Sequence, residues 1–144
     1  AAAHSHSRFG KAWSALGRRL EPITQDHCDF YEDLALYDAY EGVVSDVDEA
    51  DAIAASLGGA KAVVLRNHGL LTVGQSVDEA AWWFMRLERC CEISLMAAAA
   101  GQPVVIDDAT ARSVFAEQGL PVGGWFSAQN HYDRTLARHP DLVD

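Results

Sequence analysis

Three histidines offer the most direct chemistry in this sequence. His4 and His6 flank a single serine in "AAAHSHSRFG", and His68 stands in "RNHGLL". Neutral imidazole is the commonest side-chain ligand for divalent metals at physiological pH. In extended backbone, residues two apart face the same way, so a strand there would present His4 and His6 to one ion. His68 falls where an apolar run meets a glycine, the kind of strand end at which α/β proteins place functional groups. Three histidines with a fourth position open make a catalytic zinc arrangement, whereas a closed structural site fills all four. An H-x-H pair alone is a weak signal, equally at home in a terminal tail or a tag. His68 alone also reads as a strand-end histidine bonded to backbone. His27, His131 and His139 have no partner at ligand spacing and read as solvated or locally bonded.

The elements around them follow from periodicity. Phe9, Ala12, Trp13, Leu16 and Leu20 recur at helical spacing, leaving Lys11, Arg18 and Arg19 for the polar side, and Pro22 ends the helix. Residues 23–44 lack that period and read as loop and short strands, with "LALYDAYEGVV" extended. Asp46 and Glu49 form a capping box before a helix whose apolar face is Val47, Ala50, Ile53, Ala54 and Leu57, stopped at Gly58 or Gly59. "AVVL" at 62–65 is apolar on both faces, as a covered central strand is, and a second short strand follows the Asn67-His68-Gly69 break. Ser76 and Glu79 open the longest helix, which runs to Ala100 with Val77, Ala80, Phe84, Leu87, Cys91, Leu95 and Ala98 on its main buried face. Trp82 and Trp83 point in different directions, which favours a second packing partner for this helix, either another layer or another subunit. A short helix at 108–118 and a C-terminal helix complete the chain.

Composition narrows the function classes. The 144 residues are 49% hydrophobic and suit one compact domain. A formal charge of -10, from 21 acidic and 11 basic residues, disfavours nucleic acid and anionic membrane surfaces. Cys28, Cys90 and Cys91 form no disulfide framework, which fits a reducing compartment and a cytoplasmic location. Adjacent Cys90 and Cys91 read as small packed groups within a helix. No apolar run reaches the roughly 20 residues of a membrane span.

The order H-x-H-S, amphipathic helix, "PITQD", acid-capped helix, "AVVLRNHGLLTVG" and "SVDEAAWWFMRLERCCEISLMAAAAG" resembles the class II aldolase/adducin family. The likeness extends to "GWF" and "YDR" near the end. It implies an α/β fold, a three-layer α/β/α sandwich around a largely antiparallel central sheet, with homotetramers and sites between subunits. In family enzymes the H-x-H pair and the NHG histidine bind a divalent ion, usually zinc; those positions are His4, His6 and His68. The implied activity is a divalent-metal lyase, cleaving a small sugar phosphate or related hydroxy-carbonyl compound through a metal-stabilised enediolate. Mn²⁺ or another divalent ion is an alternative to Zn²⁺. The alternatives in function are a same-site epimerase, dehydratase or decarboxylase, and a non-catalytic adducin-like assembly module.

The likeness also marks departures. Family aldolases carry an acid/base glutamate and phosphate-holding loops before H-x-H, and here only three residues precede His4. The expectation is one class II aldolase/adducin domain over residues 1–144 lacking its N-terminal part. The tyrosine that family aldolases donate to a neighbour's site should follow the first helix, where this chain has Gln25 and Asp26, with Tyr31 further on. Tyr132 lies where C-terminal residues reach a neighbour. Tyr31 and Tyr132 are therefore the candidate catalytic residues. Asp26 reads as a fourth ligand, as an acceptor for a histidine N–H, or as a solvated loop acid.

Overall fold

The computed structural model describes residues 1–40, 42 and 47–143. The expected cap at Asp46 and the end of the expected extended piece at Val43 and Val44 lie outside the described residues. Four strands, β1 (Ala2–Ser5), β2 (Leu34–Tyr37), β3 (Ala62–Leu65) and β4 (Gly69–Val73), form one sheet in the order β1-β4-β3-β2. β4 runs antiparallel to both β1 and β3, and only β2 and β3 pair parallel, so the sheet is largely antiparallel as expected. All four residues of β3 are buried, the outcome that an apolar run on both faces requires.

Strand alternation sorts the core into two layers. Leu34, Ala62, Val64 and Leu70 share one face with Trp13, Phe30, Trp83, Leu87, Cys90 and Cys91. That face is covered by α1 (Arg8–Ser14) and α4 (Val77–Ala100). Ala35, Val63, Leu65 and Leu71 turn to the other face, against Ile53 and Leu57 of α3 (Val47–Leu57). The remaining helices are α2 (Gln25–Cys28), α5 (Asp108–Gln118) and α6 (Pro121–Arg138). The second partner that α4's wide apolar arc calls for is α6. Trp83 is buried in the core, and Trp82 meets the His131 ring of α6 at 5.6 Å. Gly124 permits this approach, since a Cβ there would lie 2.7 Å from the Trp83 ring.

Three expectations need correction. First, α1 stops at Ser14 rather than reaching Leu20. Gly17 turns the chain at φ +59, the Trp13 indole N–H donates to the Arg18 carbonyl at 3.0 Å, and Asn67 N–H donates to the Ser14 carbonyl at 3.2 Å. Leu16 is consequently exposed. Second, residues 25–28 form a single helical turn, too short for periodicity to reveal. Third, the buried stripe of α4 is rotated. Val77 and Ala98 are exposed, and Glu79, Ala80, Trp83, Leu87, Cys90, Cys91 and Ser94 are buried. Two members of that stripe are polar, so apolar spacing could not find its centre. Ser76 does cap the helix, accepting from Glu79 N–H at 3.1 Å, while Glu79 accepts from Gln75 N–H and from the Trp83 indole. Among the described residues no helix is long and apolar enough to cross a membrane.

Candidate metal centre

His4, His6 and His68 come together. Their ligand-capable atoms lie within 4.8 Å of one another, and the ring centroids are 4.7–5.3 Å apart. β1 brings His4 to the site by pairing with β4 in the register His4↔Leu71 and Ser5↔Leu70. His68 sits in the tight turn between β3 and β4, where its N–H donates to the Leu65 carbonyl at 3.0 Å. Asn67 takes the left-handed conformation that turn requires, φ +59, which its short polar side chain tolerates. Gly69 follows because β1 comes close: a Cβ there would lie 3.1 Å from the Ser5 carbonyl.

The donor set suits a divalent ion. His4 Nδ1 lies 2.7 Å from the Leu70 carbonyl, which can only accept, so Nδ1 carries the proton and Nε2 keeps its lone pair. A backbone acceptor behind a ligating histidine is the usual means of fixing ring and tautomer. Burial and the two facing imidazoles push the His68 pKa down, which favours the neutral ligating form. Among the described residues no carboxylate or cysteine joins the cluster. Three imidazoles with an open remainder match borderline divalent ions such as zinc better than hard calcium or magnesium.

Glu88 of α4 anchors the chain just beyond the H-x-H pair. Its carboxylate accepts from Phe9 N–H at 2.8 Å, from Gly10 N–H at 2.6 Å and from the Ser7 hydroxyl at 2.5 Å. Ser7, the N-cap residue of α1, makes no side-chain cap bond of its own. A carboxylate from another helix therefore satisfies two of the orphan N–H donors of α1's first turn and ties Ser7, next to His6, to the core. Gly10 allows the packing, since a Cβ there would lie 2.6 Å from Ser7 Oγ and 2.7 Å from the Leu70 side chain.

The other candidates fall elsewhere. Asp26 pairs with Arg86 at 3.2 Å and is not part of the histidine group, so neither the fourth-ligand nor the acceptor reading describes it. Tyr31 lies beside α5, where the Arg112 guanidinium stands 5.5 Å from its ring, and burial together with Asp108 raises its pKa. Tyr132 is exposed on α6. The chain does not bring either tyrosine into the histidine group. His27 is buried, not solvated: its ring meets Thr24 Oγ1 at 2.7 Å, Ser94 Oγ at 2.8 Å and the Cys90 carbonyl at 3.1 Å. Burial pushes its pKa down to about 4. His131 packs at a tilt against Trp82, and His139 is exposed beyond α6. All three cysteines are buried, and burial raises their thiol pKa values, so they act as small packed groups.

Two charged contacts had no sequence signal. Arg86 donates to buried Asp29 at 2.7 Å, joining α2 to α4. Lys61 is buried with Nζ 3.4 Å from Asp33 and 4.1 Å from the Trp83 ring, donating to the Gly119 carbonyl, which ties β3 to the α5–α6 junction. Burial pushes its pKa down, with Asp33 opposing.

Fold and site together define a class: α/β/α proteins that gather three histidines at one corner of a mixed sheet. The profile of the Class II Aldolase and Adducin N-terminal domain matches residues 1–95, and the chain belongs to that family. It is similar in structure to an L-fuculose 1-phosphate aldolase from Glaciozyma antarctica PI12, with a TM-score of 0.89 and 40% identity over 97% of this chain and 53% of that one. It is 45% identical to the decarboxylase NovR of Streptomyces niveus, over 97% of this chain and 52% of the relative. It is 46% identical to the 4-hydroxy-3-prenylphenylpyruvate oxygenase/4-hydroxy-3-prenylbenzoate synthase of Streptomyces roseochromogenus subsp. oscitans, over 97% of this chain and 50% of the relative. The chain thus spans about half the length of the curated relatives it matches. Class II aldolases generally depend on a divalent metal.

Proposed function

We propose that this chain carries the metal-binding part of a divalent-metal-dependent lyase acting on a small hydroxy- or oxo-carbonyl compound, with His4, His6 and His68 as the metal ligands. The observation that carries this reading is the gathering of three imidazoles from two distant segments within 4.8 Å, one of them held through Nδ1 by a backbone carbonyl. Zinc bound there supplies Lewis acidity to a substrate oxygen and stabilises the negative charge that develops on it. The chain's own residues do the rest of what it can do. Leu70 holds the His4 tautomer, Asn67 and Gly69 shape the turn that presents His68, and Glu88 anchors the segment after His6. Because no carboxylate of the described residues joins the histidine group, the proton shuttle is supplied from outside it. Tyr31 and Tyr132 fill that role in a homotetramer, reaching the site of a neighbouring subunit. The protein acts in the cytoplasm as part of a single class II aldolase/adducin domain.

A second reading, decarboxylation of an oxo or hydroxy acid at the same centre, is favoured by the name of the Streptomyces niveus relative, a decarboxylase. Both readings require the ion. Metal analysis and zinc titration of the purified protein, and of His4→Ala, His6→Ala and His68→Ala, test them. One zinc per chain, weakened in each variant, is expected. A native protein with neither bound metal nor affinity for added zinc overturns both and leaves the adducin-like assembly module. Assays of the zinc-loaded protein with sugar phosphates and with 2-oxo acids then separate cleavage from decarboxylation.

A further inference from the structure

A cleft of about 190 Å³ lies between the segment that follows α1 and the C-terminal turn of α4. Its polar lining is Arg18, Glu21, Ser94 and Gln102, with Trp13 and Ala98 among its apolar walls. None of the three gathered histidines lines it. Both of its lips, residues 13–23 and 94–103, are interior stretches of the chain that are described throughout.

Two opposite charges line this cleft without partners. Neither Arg18 nor Glu21 forms an ion pair among the described residues, and they do not pair with each other. Arg18 is held in place by Trp13. Its guanidinium lies 4.7 Å from the Trp13 ring, and the Trp13 indole donates to its carbonyl at 3.0 Å. A planar guanidinium fixed against an aromatic face offers its N–H groups in the fork that a carboxylate fits. Other groups of the cleft suit a cation. α4 ends here with no basic residue in its last turn. Its final carbonyls carry the negative end of the helix dipole, so an ammonium gains from them as it does from Glu21.

The floor is a buried hydroxyl. Ser94 is 4% exposed, and its Oγ lies 2.8 Å from His27 Nε2. The Cys90 carbonyl, 3.1 Å from the same nitrogen, can only accept, so Nε2 carries the proton and Ser94 accepts from it. Among the described residues the Ser94 hydroxyl has no other partner, which leaves its hydrogen to donate to an occupant.

We propose that this cleft binds a small zwitterion, an α-amino acid of the size of alanine or serine. Its carboxylate meets Arg18, and its ammonium meets Glu21 and the end of α4. The volume lies below the roughly 300–1,000 Å³ of drug-sized sites and is too small for a nucleotide. The site is separate from the metal centre and does not rest on the lyase reading.

The test titrates isotope-labelled protein, with and without zinc, with alanine, propionate and ethylamine, and follows N–H shifts by NMR. Propionate lacks the ammonium and ethylamine lacks the carboxylate. Alanine is expected to shift the Trp13 indole and the Ser94, Gly101 and Gln102 amides saturably, and to bind about tenfold tighter than either analogue. Arg18→Gln should bring alanine down to the level of ethylamine, and Glu21→Gln down to that of propionate. Both positions are exposed, so the fold is kept. Equal affinity for alanine and either analogue, or no saturable shift at these groups, overturns the proposal. So does alanine binding that survives both substitutions. Binding seen only with zinc also overturns it, because the amino acid is then chelating metal at the histidines.

Discussion

Replacing Glu88 with alanine removes an α4 side chain that accepts hydrogen bonds from α1's first turn. The carboxylate accepts two backbone N–H groups and one hydroxyl at 2.5–2.8 Å, in a partly buried position. Hydrogen bonds to a charged group contribute roughly 1.5–3 kcal/mol each, and truncation lets water reach the freed donors, so the net cost is about 2–4 kcal/mol. Glu88→Gln keeps one acceptor and loses the charge at the helix N-terminus, for about half that cost. Because Ser7 follows His6 directly, the loosened turn also weakens the metal centre. Loss of a supporting contact typically lowers metal affinity by about 10–100-fold. Urea unfolding of the metal-free protein reads the first effect, and zinc competition against a chromophoric chelator reads the second. Ser7→Ala, which leaves α4 intact, should weaken zinc binding less than Glu88→Ala. If Glu88→Ala unfolds within about 0.5 kcal/mol of the parent and binds zinc equally well, the anchoring role is refuted.

Two further outcomes follow from buried charge. Arg86→Ala strands the Asp29 carboxylate, whose side chain is 2% exposed, and should cost about 3–5 kcal/mol in urea unfolding. The double variant Arg86→Met, Asp29→Leu should recover most of that loss. His27 has a folded pKa of about 4 against 6.5 when unfolded, so between those values the unfolded chain binds the extra proton. Stability is therefore full above pH 6.5 and falls as pH drops towards 4, by about 3 kcal/mol in total from this group. Unfolding of the parent and of His27→Asn across that interval checks the sign, with a shallower slope expected for the variant.

The histidine trio was legible because the H-x-H pair and the NHG histidine stand in the family's motif order, where spacing alone is a weak signal, and β3 because its continuous apolar run suits a covered central strand. The family's motif order carried the layered architecture further than periodicity alone could. Legibility failed where polar groups do the packing. Glu79 and Ser94 look like surface residues yet lie in α4's buried stripe, Glu79 accepting from the Trp83 indole one turn on and Ser94 bonded to His27, 67 residues earlier. Glu88 reads as an ordinary charge on a long helix. Its role depends on the N-terminus of α1, 78 residues earlier, and nothing local announces that meeting. The end of α1 was misplaced because Leu16 and Leu20 keep helical spacing beyond the point where Trp13 turns the chain back on Arg18.

The β1–β4 ladder has a kinetic consequence. His4 and the carbonyl that orients it are 66 residues apart, so the complete donor set does not exist until that long loop has closed. Closing distant strands is slow compared with forming local helices, which makes the centre among the last features to assemble. An ion that binds only the assembled set stabilises the native state by mass action. Zinc uptake during refolding would then time the closing of the sheet, and should lag behind the helical signal of α4.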